Sequence, residues 1–227
     1  MTSFFITFEG GEGSGKTTQI ARLAGHLEAQ GRIVVTTREP GGSPGADAIR
    51  HVILSGAAEE LGPEVEAILF AAARADHVAA VVRPALERGE VVLCDRFHDS
   101  TRVYQFLDSS LDRGLMNRLE HAATAGLYPD LTIILDVPAG IGAERARERR
   151  KGGTADRFEK EDEALHERRR QAFLDIAAEE PDRCVVVDGT RPEGVVAAEI
   201  ASIVDDRLEA ARFEAISQSL NAGQGTS

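Results

Sequence analysis

Residues Gly10-Gly11-Glu12-Gly13-Ser14-Gly15-Lys16-Thr17 fit the pattern G-x-x-x-x-G-K-[ST]. Glycines at this density let a backbone fold closely round an anion with its N–H groups turned inward. Lys16 is placed to reach the β- and γ-phosphates of a nucleoside triphosphate, and the Thr17 hydroxyl to ligate Mg²⁺. The helical pattern that follows, over roughly 16–29, adds the positive end of its dipole. Position strengthens the pattern: the loop lies directly between an apolar run, Phe4 to Phe8, and a helix. Gly10 to Thr18 are therefore the candidate triphosphate-binding residues. The loop does not choose an acceptor, because ATPases, GTPases, motor domains and small-molecule kinases share it.

Two further cations sit where a second phosphate could be held. Arg38, in Thr37-Arg38-Glu39-Pro40-Gly41-Gly42, follows an apolar run and precedes a Pro-Gly turn. A guanidinium there can fork onto a phosphate, although taken alone it reads as an ordinary surface arginine in a turn. Asp95-Arg96-Phe97 follows another apolar run. Asp95 can hold Mg²⁺ through its waters, and Arg96 can contact a transferring or accepting phosphate. The stretch Arg145 to Lys151 is strongly basic within an acidic chain and reads equally as a solvated helical face. The histidines, His26, His51, His77, His98, His121 and His166, have no ligand spacing, and Cys94 and Cys184 lie inside apolar runs as small buried hydrophobes.

The elements that must position these groups alternate. Phe4 to Phe8, Ile33 to Thr37, Val91 to Cys94, Leu131 to Val137 and Cys184 to Val187 are almost continuously apolar, as parallel strands covered on both faces are. Helical spacing fills roughly 16–29, 46–55, 63–87, 112–125, 139–151, 159–179 and 193–212. This predicts an α/β fold, a doubly wound five-stranded parallel sheet flanked by helices, with ligands outside the carboxyl ends of the strands. One domain over 1–213 and a disordered polar tail over 214–227 are expected. A net charge of −12 excludes a sequence-independent nucleic-acid surface, and no apolar run is long enough for a membrane span. No secretory signal precedes the first strand, and a cytoplasmic location is expected.

In order along the chain, EGGEGSGKTT, TREPGG, LFAAARADH, DRFHDSTRVYQ, YPDLTIILDV, ADRFE and DGTRP resemble the thymidylate kinase family, P-loop enzymes that transfer a phosphoryl group from ATP to dTMP. The resemblance implies a catalytic set of Lys16, Asp95, Arg96 and lid arginines, with Mg²⁺ held at Thr17 and Asp95. It implies that Phe70 stacks on thymine, and that Arg74, one helical turn on, donates to a thymine carbonyl. By its residues alone Phe70 also reads as core packing. Pro40, Ser100, Thr101, Tyr104 and Gln105 would line the base and sugar, and Glu12 would face the 3′-hydroxyl. Arg38 and Arg96 would hold the dTMP phosphate in line.

The family's flexible lid would span about 146–158, with Arg149, Arg150 and Arg157 as open candidates for the catalytic cation, since the loop itself carries no arginine. DGTRP resembles the adenine-side loop. Residues 106–110 depart from the pattern of many bacterial members, so nothing is carried over there. The family is typically homodimeric through helices near 63–87, whose apolar residues fit an interface or a core helix. Another nucleoside monophosphate or deoxynucleoside kinase, and a P-loop regulatory ATPase, are the competing readings. Two cations aimed at a second phosphate stand against the ATPase.

Overall fold

The computed structural model describes residues 3–58, 61–107, 111–150 and 162–224, as backbone alone at 149–150 and 218–224. Five strands, β1 (Phe4–Glu9), β2 (Val34–Arg38), β3 (Val91–Asp95), β4 (Leu131–Asp136) and β5 (Cys184–Asp188), form one sheet in the order β2-β3-β1-β4-β5. Every pairing is parallel. The helices are α1 (Lys16–Ala29), α2 (Pro44–Leu54), α3 (Pro63–His77), α4 (Arg83–Glu87), α5 (His98–Tyr104), α6 (Arg113–Thr124), α7 (Ala139–Arg150), α8 (Glu163–Glu179) and α9 (Glu193–Gln224).

Coverage of both sheet faces explains the unbroken apolar runs of β1, β3 and β4, whereas the edge strands β2 and β5 are only partly covered. Phe4, Ile6 and Phe8 of β1 pack with Leu23 and Leu27 of α1 and with Ile200 and Val204 of α9. Phe5, pointing the other way, packs with Val82, Val92 and Phe97. Ile134 of β4 meets Val103 of α5 and Phe173 of α8. Phe5, Phe8 and Phe97 are fully buried, and each such side chain withdrawn from water contributes about 1.5–3 kcal/mol. Cys94 and Cys184 are buried free thiols, as their surroundings implied.

All five strands end at the same edge in an ionisable residue: Glu9, Arg38, Asp95, Asp136 and Asp188. The register places Arg38 beside Asp95 and Asp136 beside Asp188. The apolar strands thus hold a row of charges at one rim, where the connections leave for their helices.

Several elements differ from their expected forms. The continuous helix over 63–87 is broken into α3, a π-helical turn at Val78–Val82, and α4. Pro84 has no N–H to continue the hydrogen-bond ladder, so the turn before it widens. Helix α5 did not stand out because His98–Tyr104 is short and polar. The tail expected to be disordered over 214–227 is corrected as far as Gln224, through which α9 continues across residues of good helix propensity such as Glu214 and Ala215, and 225–227 lie outside the described residues. The lid expected from Ala146 begins as helix, since α7 runs to Arg150, and residues 151–158 lie outside the described residues. Among the described residues no helix is long and apolar enough to cross a membrane.

Candidate active site

The loop between β1 and α1 lies against the rest of the fold with almost no clearance. Gly10 has φ 133°, and a Cβ there would stand 2.6 Å from the Leu135 carbonyl oxygen. Gly13 is left-handed, and its Cβ would collide with the Gly142 carbonyl, while one on Gly142 would collide with the Glu12 carbonyl. Backbone therefore meets backbone where the loop crosses α7, which only glycine permits on both sides. Gly142 carried no sequence signal of its own.

Lys16 folds back over the loop. Its Nζ donates to the carbonyls of Gly10 at 3.0 Å and Gly11 at 2.9 Å, and to Ser14 Oγ at 3.4 Å. Burial lowers its pKa and the neighbouring Arg96 charge acts in the same direction, opposed by Asp95, Glu12 and Glu9. A cation held this way gains strongly from an arriving anion. At the loop's far end Thr17 Oγ1 donates to Asp95 Oδ2 at 2.8 Å.

Arg96 turns the chain sharply out of β3. Its φ is 70°, uncommon for a residue with a side chain, and its N–H donates to Phe8 O at 2.9 Å; such a conformation costs about 1–2 kcal/mol. The turn is clamped from below by Glu9. Glu9 Oε1 accepts from the Phe97 N–H at 2.7 Å and the Ser100 N–H at 3.2 Å, and Oε2 accepts from Ser100 Oγ at 2.6 Å. The guanidinium then donates to Glu12 Oε1 at 2.5 Å and to Ser100 Oγ at 3.2 Å. Burial, reinforced by the charge of Asp99, pushes the Glu9 carboxyl up to about 7 against the pull of Arg96 and the donors around it. Below this turn Arg183 donates to both oxygens of the buried Asp99, at 2.7 and 2.9 Å, tying α5 to the chain entering β5.

A cleft of about 280 Å³ opens in front of the loop. Glu12, Gly13, Ser14, Gly15, Lys16, Thr17 and Thr18 form one wall, and Arg38, Pro40, Phe70, Arg74, Asp95, Arg96, Ser100, Tyr104 and Gln105 form the other. Residues from four separate parts of the sequence are thus gathered round one space. Phe70 belongs to no core cluster and is only partly buried on the cleft wall, which separates it from the core-packing reading. Tyr104 lies between two guanidinium groups, with Arg96 Cζ 5.0 Å and Arg169 Cζ 4.3 Å from its ring centre. Gln105 donates to Glu66 Oε1 at 3.1 Å. Arg38 is largely exposed, with Asp47 at 3.8 Å.

Other expected residues stand elsewhere. Thr101 is buried away from the cleft wall, and its Oγ1 has no partner among the described residues. Gly11 lines a smaller recess against α7 and α8, and Gly10 lines neither space. The Asp188–Pro192 loop lies beside the phosphate loop, where Arg145 Nη1 donates to Gly189 O at 2.8 Å. The side chains of Arg149 and Arg150, and all of Arg157, lie outside the described residues. Glu9, Glu39, Arg50, Phe97 and Arg169 were not singled out from sequence. Glu9 alone had a local clue, an acid ending the most buried strand.

A parallel sheet of this order, with a phosphate loop after β1 and a second set of cations across one cleft, defines a P-loop nucleotide phosphotransferase. The family model for thymidylate kinase matches residues 8–200. The chain is 53% identical over 204 residues to the thymidylate kinase of Bartonella quintana, covering 89% of this chain and 95% of that protein. It is likewise 53% identical over 204 residues to that of Bradyrhizobium diazoefficiens, covering 90% of each. The crystal structure of thymidylate kinase from Ehrlichia chaffeensis superimposes with a TM-score of 0.71 at 33% identity, over 90% of this chain and 99% of that one. The chain belongs to the thymidylate kinase family.

Proposed function

We propose that the chain transfers the γ-phosphoryl group of ATP to dTMP, giving dTDP and ADP, a step toward dTTP. The observation that carries this reading is the single cleft with the phosphate loop on one wall and Arg38, Phe70, Arg74 and Arg96 on the other. A P-loop regulatory ATPase needs no second wall of this kind.

Phosphoryl transfer asks little covalent chemistry of a protein and much positioning. The loop N–H groups and Lys16 hold the donor phosphates. Arg96, braced by Glu9, Glu12 and Ser100, and Arg38, exposed at the mouth, hold the acceptor phosphate so that its oxygen lies in line. Phe70 stacks on the thymine ring, Arg74 donates to a carbonyl of that ring, and the bulk of Tyr104 excludes a ribose hydroxyl. Glu12, now paired with Arg96, is within reach of the acceptor's sugar.

The Thr17–Asp95 pair fits Mg²⁺ at the loop's edge, with further oxygens coming from phosphate and water. Among the described residues no group of three or more His, Cys, Asp or Glu side chains forms an all-protein cage, so the fit is to a shared ion. Held by Thr17 and Asp95, Mg²⁺ would supply charge neutralisation for the transferring phosphates. One of Arg149, Arg150 and Arg157 supplies the remaining transition-state cation. The support is that the loop contains no arginine, and that α7, which leads to them, crosses the loop at Gly142. We place the reaction in the cytoplasm and pair two copies through the outer face of α3, where Ile68 is 49% exposed. Of the apolar residues in 63–87, Val78 and Val82 belong to the core.

A coupled ADP-release assay with dTMP, dUMP, UMP, CMP, AMP and GMP as acceptors tests the reading. Turnover dependent on dTMP is expected. ADP release that needs no acceptor would contradict it, and turnover without preference for dTMP would sink the base assignment.

A further inference from the structure

Arg74 is 3% exposed and held on three sides. Its Nε donates to Glu39 Oε2 at 2.7 Å, its Nη2 donates to Phe97 O at 3.0 Å, and its guanidinium carbon lies 5.2 Å from the Phe97 ring centre. Nη1 has no protein partner among the described residues, and Arg74 lines the cleft. Behind Arg74 the polar contacts continue. His77, fully buried, donates from Nδ1 to Glu39 Oε1 at 2.9 Å, because a carboxylate oxygen offers only lone pairs. Its Nε2 meets Thr37 Oγ1 at 2.7 Å. The Glu39 N–H is pinned to Asp95 O at 2.9 Å. Gly42 closes over the far end: a Cβ there would collide with Thr37 Oγ1 and stand 2.9 Å from His77 Nε2.

We propose that Glu39, His77 and Thr37 are positioning residues for Arg74, holding its guanidinium with one edge toward the cleft, and that they set the preference for an acceptor base bearing a carbonyl where a cytosine bears an amine. The proposal rests on the reading that Arg74 meets the acceptor base. A guanidinium offers donors alone, so it favours a carbonyl and leaves an exocyclic amine, itself a donor, without a partner. That discrimination requires the guanidinium to stay in place. A free arginine side chain has many rotamers, and a lone carboxylate could swing with it. Glu39 cannot, because His77 holds its second oxygen. Burial works against the Glu39 charge, yet Arg74 and His77 hold its pKa below the ordinary carboxylate value, so it stays an acceptor for both. Removing the imidazole frees Oε1, which is then able to accept from an amine, and loosens Arg74 in the same stroke.

The test compares steady-state kinetics of the full chain with dTMP and dCMP for His77→Leu, His77→Asn and Thr37→Val, alongside thermal melting and the KM for ATP. His77→Leu is expected to raise the dTMP KM about tenfold with kcat changed less than about threefold, the scale of one lost charge-assisted hydrogen bond. The dTMP-to-dCMP ratio of kcat/KM falls by a similar factor, and the ATP KM stays unchanged. Thr37→Val gives a smaller shift in the same ratio. His77→Asn, whose amide nitrogen can stand in for Nδ1, recovers most of it. Should His77→Leu fail to fold, the other two variants carry the test. An unchanged ratio in the folded variants overturns the proposal, as does an asparagine variant no better than the leucine one. Arg74→Ala, measured in parallel, separates the two levels. An unchanged ratio there removes Arg74 from the base site, whereas a shift there with none in the His77 and Thr37 variants defeats the positioning proposal alone.

Discussion

On the donor wall of the cleft the functional groups come from one run of chain, Glu12 to Thr18, and most of them are backbone. On the acceptor wall they are side chains drawn from β2 to α5, and the two key arginines are held by buried carboxylates: Arg96 stands over a turn clamped by Glu9, and Arg74 pairs with Glu39. The donor wall is exacting about clearance, because Gly13 and Gly142 pass each other with no room for a Cβ. The acceptor wall is exacting about charge, because a carboxylate buried beside each guanidinium must keep its partners or bear a large desolvation cost. A nucleoside triphosphate is recognised through phosphates common to all of them, which backbone amides suit. The acceptor is recognised through a base, and only side chains discriminate between bases.

Substitutions should divide along the same line. Lys16→Ala removes the loop's own cation and should lower kcat by about 10²–10³-fold or more for every acceptor, with the fold intact. An activity drop confined to one acceptor would erase the distinction between the walls. Arg96→Ala strips the acceptor phosphate of its braced cation and removes the donor to Glu12 Oε1; single-turnover rates should fall about 10²-fold with ATP affinity retained. Arg74→Ala should weaken dTMP binding by about 1–3 kcal/mol, read as a rise in KM with little change in kcat. An unchanged KM would remove it from the acceptor wall.

The smallest effect sharpens the comparison through pH. Glu9 is pushed from an ordinary value of 4.5 up to about 7 in the folded chain. The native state therefore binds the proton more tightly than the unfolded one. Its contribution is fully present below about 4.5 and is lost as pH rises through about 7. Glu9→Gln removes that slope, so the variant should gain on the wild type between pH 5 and pH 8 by an amount on the order of 1–3 kcal/mol, measured by urea unfolding at each pH. A difference that does not vary with pH would show that Glu9 is ionised throughout.

The contrast between the walls also governs what the sequence reveals. The phosphate loop, the five strands and the Arg38 and Asp95 that follow two of them are local patterns, and each stands where its pattern placed it. Phe70 and Arg74 share a helical face, and the family resemblance drew them out as a pair where the residues alone left Phe70 open to core packing. The groups that hold the acceptor arginines were not. Arg74 and Glu39 are 35 residues apart, and Glu9 and Ser100 are 91 apart, and no local period links such partners. Arg169 reaches Tyr104 only because α8 packs on α5, and α5 itself is too short and polar to announce a helix. Gly142 is one glycine among many until the loop lies against it. The break at Val78–Val82 was not read from the sequence, because the effect of Pro84 on a helix depends on whether packing permits a wider turn.

The most direct test of the whole account follows the phosphorus atom. ATP labelled at the γ-position is mixed with dTMP and the products are separated by chromatography. The account predicts label in the β-phosphate of dTDP, with one ADP formed for each dTDP and almost no inorganic phosphate. Label recovered chiefly as inorganic phosphate, with dTMP unconsumed, would contradict it.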